Sequence, residues 1–168
     1  ETIPCRQVKY LIDNNGRTID YIRISVTDRC NLRCKYCMPD DVTSVAHSEI
    51  LSYEEIVRLC GIMSQLGIEN IKITGGEPLV RKGICSLIQN LKSMSGIRTV
   101  TMTTNGVLLE DYLEELELAG LDAVNISLDT LNKEKFEQLT GVDGLNKVLR
   151  SIDKAIQTKI KVKIKDRK

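Results

Sequence analysis

Residues 23–39 read Arg-Ile-Ser-Val-Thr-Asp-Arg-Cys-Asn-Leu-Arg-Cys-Lys-Tyr-Cys-Met-Pro, a short strand running into a loop that carries three thiols. From Tyr21 to Thr27 the chain alternates, with Ile22, Ile24 and Val26 on one side and Arg23, Ser25 and Thr27 on the other, the period-two pattern of a strand. Directly after it, Cys30, Cys34 and Cys37 stand in a C-x3-C-x2-C spacing. A soft metal or an iron–sulfur cluster wants several thiolates converging, and a loop leaving the end of a strand can wrap three of them around it. The number is informative. Three protein thiolates on a four-iron cubane leave one iron open to a small molecule, whereas a structural zinc site is normally closed by four protein ligands.

Working outward, residues 1–16 carry no strong period, Asn14-Asn15-Gly16 is a turn signal, and residues 1–20 read as a lead-in segment. Beyond the cysteines, residues 40–51 are polar and irregular and contain His47, the only histidine. Ser52-Tyr53-Glu54-Glu55 is a capping box opening a helix that ends at Gly67. Strand patterns recur at Asn70 to Thr74, Arg98 to Thr104, Asp122 to Asp129 and Ile160 to Lys165. Helical spacing separates them, including a short helix at Lys133 to Leu139 and a longer one at Leu145 to Ile156. Strand and helix alternate throughout, which predicts a parallel sheet with right-handed crossovers.

Strands covered by helices on both faces usually read as continuous apolar runs. Each of these instead has one polar face: Arg23 and Ser25, Lys72 and Thr74, Thr101 and Thr103, Asn125 and Ser127, Lys161 and Lys163. A flat doubly wound sheet would bury those side chains. A sheet curved into a barrel or partial barrel, its concave side hydrated or filled by a polar ligand, leaves them useful. The cysteine loop, Gly75-Gly76-Glu77-Pro78 and Thr104-Asn105-Gly106 all follow carboxyl ends of strands, where such folds carry their working loops. The cations of the polar face, Arg23, Lys72, Lys161 and Lys163, suit an anionic ligand such as a triphosphate.

The chain has 168 residues, 42% of them apolar, enough for one domain with a real core. A net charge of +1 makes no long-range case for nucleic acid or an anionic membrane. There is neither an apolar run of membrane-spanning length nor a charged-then-apolar leader, so a cytoplasmic protein is expected. Six cysteines then fit metal or redox chemistry better than a disulfide framework, with Cys5, Cys60 and Cys85 expected to be packing or surface residues.

Cys-Asn-Leu-Arg-Cys-Lys-Tyr-Cys at 30–37, with an aromatic residue just before the last cysteine, resembles the signature of radical S-adenosylmethionine (SAM) enzymes. The longer string Ile-Asp-Tyr-Ile-Arg-Ile-Ser-Val-Thr-Asp-Arg-Cys-Asn-Leu-Arg-Cys at 19–34 resembles one branch, the MoaA-type GTP 3′,8-cyclases of molybdenum cofactor biosynthesis. Generic members share only the cysteines and the aromatic residue. Thr27-Asp28-Arg29 before them and Met38-Pro39 after them therefore select the branch.

The resemblance, over roughly residues 11–164, implies an α/β fold, a partial (β/α) barrel truncated here to about five parallel strands with flanking helices. Residues 21–168 would be the amino-terminal part of the radical SAM core. It implies Cys30, Cys34 and Cys37 as ligands of a [4Fe-4S] cluster whose open iron holds SAM, with Arg29, Arg33 and Lys35 as nearby charges that could favour the thiolates. Tyr36, Gly75, Gly76, Glu77 and Ser127 would contact SAM, Glu77 supplying negative charge near its ammonium group. Arg23, Lys72, Thr103 and Lys163 would contact GTP; family members commonly carry arginine where this chain has Lys72.

The implied reaction is abstraction of hydrogen from the 3′ carbon of GTP and closure of that carbon onto carbon 8 of guanine, giving (8S)-3′,8-cyclo-7,8-dihydroguanosine 5′-triphosphate. An electron donor such as flavodoxin or ferredoxin is implied, and a homodimer is among the assemblies allowed. A second [4Fe-4S] cluster is expected in a carboxyl-terminal part that this chain lacks, so the chain alone is expected to bind a cluster but not to turn over GTP. Two alternatives stand beside this reading. One is a different radical SAM reaction on a peptide or small molecule; the other is a non-catalytic zinc module using the three cysteines and His47.

Overall fold

A computed structural model describes residues 10–37 and 45–165. Five strands form one parallel sheet in the order β3 (Tyr21–Ser25), β4 (Asn70–Thr74), β5 (Thr99–Thr104), β6 (Ala123–Ser127) and β7 (Lys161–Lys165). Each strand lies beside its predecessor in sequence, so the sheet has none of the order reversal that marks a doubly wound fold. Between them run α1 (Tyr53–Gln65), α2 (Ile84–Lys92), α3 (Leu109–Leu118), α4 (Lys133–Thr140) and α5 (Leu145–Ala155). This unidirectional winding is that of a partial (β/α) barrel.

The period-two reading fixes which face meets the helices. Ile24, Ile71, Ile73, Val100, Met102, Val124 and Ile126 join Ile56, Leu87, Ile88, Leu91, Leu116 and Val148 in one continuous core. Each such fully buried side chain contributes about 1.5–3 kcal/mol relative to exposure. The opposite phase carries the polar residues, and the register aligns them into rows. Arg23 pairs with Lys72 and Lys72 with Thr101; one step on, Ser25 pairs with Thr74, Thr103 with Asn125 and Asn125 with Lys163. Cys60 is fully buried in the core and Cys85 packs against it, as expected of packing thiols. Cys5 lies outside the described residues.

The described part of the lead-in, residues 10–20, is more ordered than its composition suggests: β1 (Leu11–Ile12) and β2 (Thr18–Ile19) form a small antiparallel hairpin. Asp13 closes its turn, accepting from the Asn15 and Arg17 amides at 2.8 and 2.9 Å. Two-residue strands are too short to show a period. His47 opens a single 3₁₀ turn ending at Glu49, and its side chain lies outside what is described.

Ser52 caps α1 as the motif predicts. Its hydroxyl accepts from the Glu55 amide at 3.2 Å, and the Glu55 carboxylate accepts from the Ser52 amide at 2.7 Å. Ser52→Ala is expected to cost about 1 kcal/mol, read as a lower urea midpoint at unchanged slope. Arg81 ties this helix to the sheet. It donates to the Val26 carbonyl at 2.6 Å and the Leu51 carbonyl at 2.8 Å, with its guanidinium 4.2 Å from the centre of the Tyr53 ring. Among the described residues no helix is long and apolar enough to cross a membrane.

Candidate functional site

The loops after β3 and β4 are stitched together by backbone bonds. Val26 donates to the Thr74 carbonyl at 2.9 Å, Gly76 to Thr27 at 2.7 Å and Glu77 to Arg29 at 2.8 Å. These contacts require glycine. A Cβ on Gly75 would stand 2.6 Å from the Thr27 carbonyl oxygen, and one on Gly76 would overlap the Arg29 carbonyl oxygen while lying 2.6 Å from that of Asp28. Gly-Gly here is therefore more than a turn, since it lets one loop lie flat on the segment leading into the cysteines.

On its far side the cysteine loop rests on α4. The last carbonyls of a helix have no partner within it, and here Arg33 donates to Thr140 at 2.8 Å and Lys35 to Leu139 at 3.1 Å. Held from both sides, the loop turns Cys30, Cys34 and Cys37 toward a cavity of about 140 Å³. Tyr36, Gly75, Gly76, Thr103, Asn105 and Ser127 also line it. Of the predicted SAM contacts, all but Glu77 border this space. Of the predicted GTP contacts, Thr103 borders it; Arg23, Lys72 and Lys163 occupy the same polar face of the sheet outside its lining.

Glu77 has a different environment from the one its sequence context suggests. It is 1% exposed, and one carboxylate oxygen accepts from the Leu79 amide at 3.1 Å and the Thr104 hydroxyl at 2.8 Å. The other accepts from the Asn105 amide at 2.7 Å. Burial pushes its pKa above the usual carboxylate value, while the three donors pull the other way. All three of these neighbours donate, so the ionised carboxylate is the form they accommodate. Its negative charge is felt at Cys30, but its hydrogen bonds serve the loops.

Tyr36 is half exposed, and its hydroxyl donates to the Asp129 carboxylate at 2.5 Å. Burial of the ring and that carboxylate push the phenol well above its usual pKa, keeping it neutral. Asp129 is the next residue in phase after Asn125 and Ser127, so alternation already placed it on the polar side. Its link to Tyr36 had no signal in the sequence.

Burial raises the Cys30 pKa first of all, with the charges of Glu77 and Cys37 adding to it; burial likewise raises that of Cys34. Arg33, a candidate to favour the thiolates, directs its guanidinium to the Cys30 and Leu32 carbonyls at 2.7 and 2.9 Å.

Among the described residues no three Cys, His, Asp or Glu side chains are gathered to hold a single metal ion. Cys30, Cys34 and Cys37 line one cavity and are close enough to influence one another electrostatically. Three thiolates suit a cubane, in which each binds a different iron, better than a structural zinc, which is normally closed by four protein ligands. The Cys30 sulfur also accepts from the Leu32 amide at 3.4 Å, a donor of the kind that supports cluster thiolates.

A fold of this winding with three loop cysteines after its first parallel strand defines a class, and the family model of the Radical SAM superfamily matches residues 24–167. The chain belongs to that superfamily. It is similar to GTP 3′,8-cyclases of Peptoclostridium acidaminophilum, 53% identical over 146 residues, and of Thermodesulfovibrio yellowstonii, 54% identical over 145. These alignments cover 86% and 85% of this chain and 45% of each relative, so the chain spans about half the length of the curated relatives it matches. Among solved structures, Streptococcus suis SuiB bound to its precursor peptide SuiA has the same fold, with a TM-score of 0.72 at 22% identity over 88% of this chain and 32% of SuiB. So does methylornithine synthase (PylB), with a TM-score of 0.67 at 16% identity over 86% of this chain and 43% of that one.

Proposed function

We propose that this chain is the amino-terminal part of a GTP 3′,8-cyclase, residues 21–168 forming the first part of its core. The observation that carries the reading is the single cavity on which Cys30, Cys34 and Cys37 meet Gly75, Gly76 and Ser127. The similarity to GTP 3′,8-cyclases supports the choice of reaction. In this reading the three cysteines hold a [4Fe-4S] cluster with one open iron. The cluster and SAM together supply the electron and the carbon radical that abstracts hydrogen from the substrate.

The residues of the chain position and shield. Gly75 and Gly76, packed flat on residues 27–29, present their main chain to the amino-acid end of SAM. Tyr36, held by Asp129, and Ser127 contact the cofactor from the other walls. Glu77 sets the loop geometry and contributes negative charge at a distance. Thr103, at the junction of the cavity and the polar face, lies between cofactor and nucleotide. Arg23, Lys72 and Lys163 meet the triphosphate. Lysine at position 72 keeps the charge of the arginine common in the family but not its two-pronged grip on phosphate. The electron donor is a low-potential carrier such as flavodoxin or ferredoxin, a second cluster belongs to the remainder of the protein, the setting is cytoplasmic, and a homodimer is compatible with this arrangement.

In the full-length protein, GTP deuterated at the 3′ carbon should pass its label into 5′-deoxyadenosine. Unlabelled 5′-deoxyadenosine formed alongside cyclised product would overturn the reading. Lys72→Ala should raise the KM for GTP about tenfold, as expected for loss of a charged phosphate contact, with a smaller effect on kcat. An unchanged KM would remove Lys72 from the nucleotide site.

A further inference from the structure

Asn105 belongs to none of the contacts proposed above, yet it touches both the glutamate brace and a cluster cysteine. Its backbone amide donates to Glu77 at 2.7 Å. Its side-chain oxygen accepts from the Val107 amide at 3.0 Å, which turns the amide nitrogen the opposite way. That nitrogen donates to the Asn31 side-chain oxygen at 2.8 Å and reaches the Cys30 sulfur at 3.8 Å. The Asn31 oxygen in turn lies 4.0 Å from the same sulfur. The orientation is thus over-determined: a buried carboxylate fixes the main chain of Asn105, and a turn bond fixes which end of its amide faces the cysteine.

Hydrogen bonds to cluster sulfurs are among the determinants of an iron–sulfur potential, because a donor stabilises the extra negative charge of the reduced state. We infer that Asn105 is a positioning residue that donates an N–H···S bond to Cys30 and thereby raises the reduction potential of the cluster held by Cys30, Cys34 and Cys37. The inference rests on the cluster reading above. Asn105 differs from the Leu32 amide, another donor to this sulfur, because it comes from the β5 loop. Through Glu77 and Thr104 it makes the potential depend on how the β4 and β5 loops pack.

Asn105→Ser is the informative variant. It is uncharged, its hydroxyl can still accept from the Val107 amide to keep the turn, and it is too short to reach Cys30. The chain is loaded anaerobically with iron and sulfide, and the cluster is titrated against redox mediators with the electron paramagnetic resonance signal as readout. At a fixed poise the reduced-to-oxidised ratio should fall about tenfold in the variant, equivalent to about 59 mV for a one-electron couple. Asn105→Gln, which restores an amide donor, should recover part of the shift.

A wild-type chain that takes up no cluster would defeat the family reading before any variant is made. A loaded wild type with an unshifted Asn105→Ser variant would defeat this inference alone. A variant that fails to fold, judged by its thermal melt, would also defeat it, because Asn105 would then be scaffold only. A folded variant that loses its cluster where the wild type retains it would support the inference, since loss of such outer contacts lowers metal affinity about 10–100-fold.

Discussion

Gly76→Ala is expected to abolish cluster loading and to destabilise the chain by on the order of 3 kcal/mol, the upper range for forced overpacking. The added methyl group has no flexible neighbour to displace. It meets the carbonyl oxygens of Arg29 and Asp28, both main-chain atoms, and the Gly76 amide is already committed to Thr27 at 2.7 Å. Relief requires the β4 loop to lift away from residues 27–29. That would break the Glu77-to-Arg29 bond and release the segment that enters the cysteines. Thermal melting together with anaerobic iron content checks this. A variant with wild-type melting and iron content would show that the two loops need not touch.

Glu77→Gln should be nearly as damaging, although only one oxygen is exchanged for an NH₂ group. One carboxylate oxygen serves Leu79 and Thr104 and the other serves Asn105, all as donors. A glutamine can offer its oxygen to one set only, and its NH₂ must then face a donor. Each buried group left without a partner costs about 1–3 kcal/mol. The loss falls on the main chain of Asn105 and so reaches the cysteine loop through Asn31. A urea melt is expected to show a lower midpoint with an unchanged slope. A wild-type midpoint would mean that Glu77 carries a proton in the folded chain, because glutamine would then be a fair mimic.

Much of this arrangement was legible in the sequence because period and punctuation govern it. Alternation in Tyr-Ile-Arg-Ile-Ser and Asn-Ile-Lys-Ile-Thr assigned the faces of β3 and β4, and the register confirms it by aligning Arg23 with Lys72. The capping box at Ser52 formed as written because all its atoms lie within four residues. What escaped the sequence depends on distant partners. Nothing in Gly-Gly-Glu-Pro indicates that the carboxylate turns inward to residues 27 and 28 positions later, rather than toward the cavity. Asp129 holds Tyr36 across 93 residues, and Asn105 reads as a turn residue until its amide is found beside Cys30. The partners of Arg33 were hidden in the sequence for a related reason. A guanidinium in sequence next to a thiol can satisfy itself on main-chain carbonyls, as Arg33 does.

The central claim is that three cysteines lining one cavity hold a four-iron cluster with a corner left for a small molecule. Anaerobic loading of this chain followed by addition of SAM tests it most directly. The account predicts about four irons per chain and a reduced-cluster electron paramagnetic resonance spectrum whose g-values move when SAM is added. Stoichiometric zinc in place of iron, or a four-iron spectrum that ignores SAM, would contradict it.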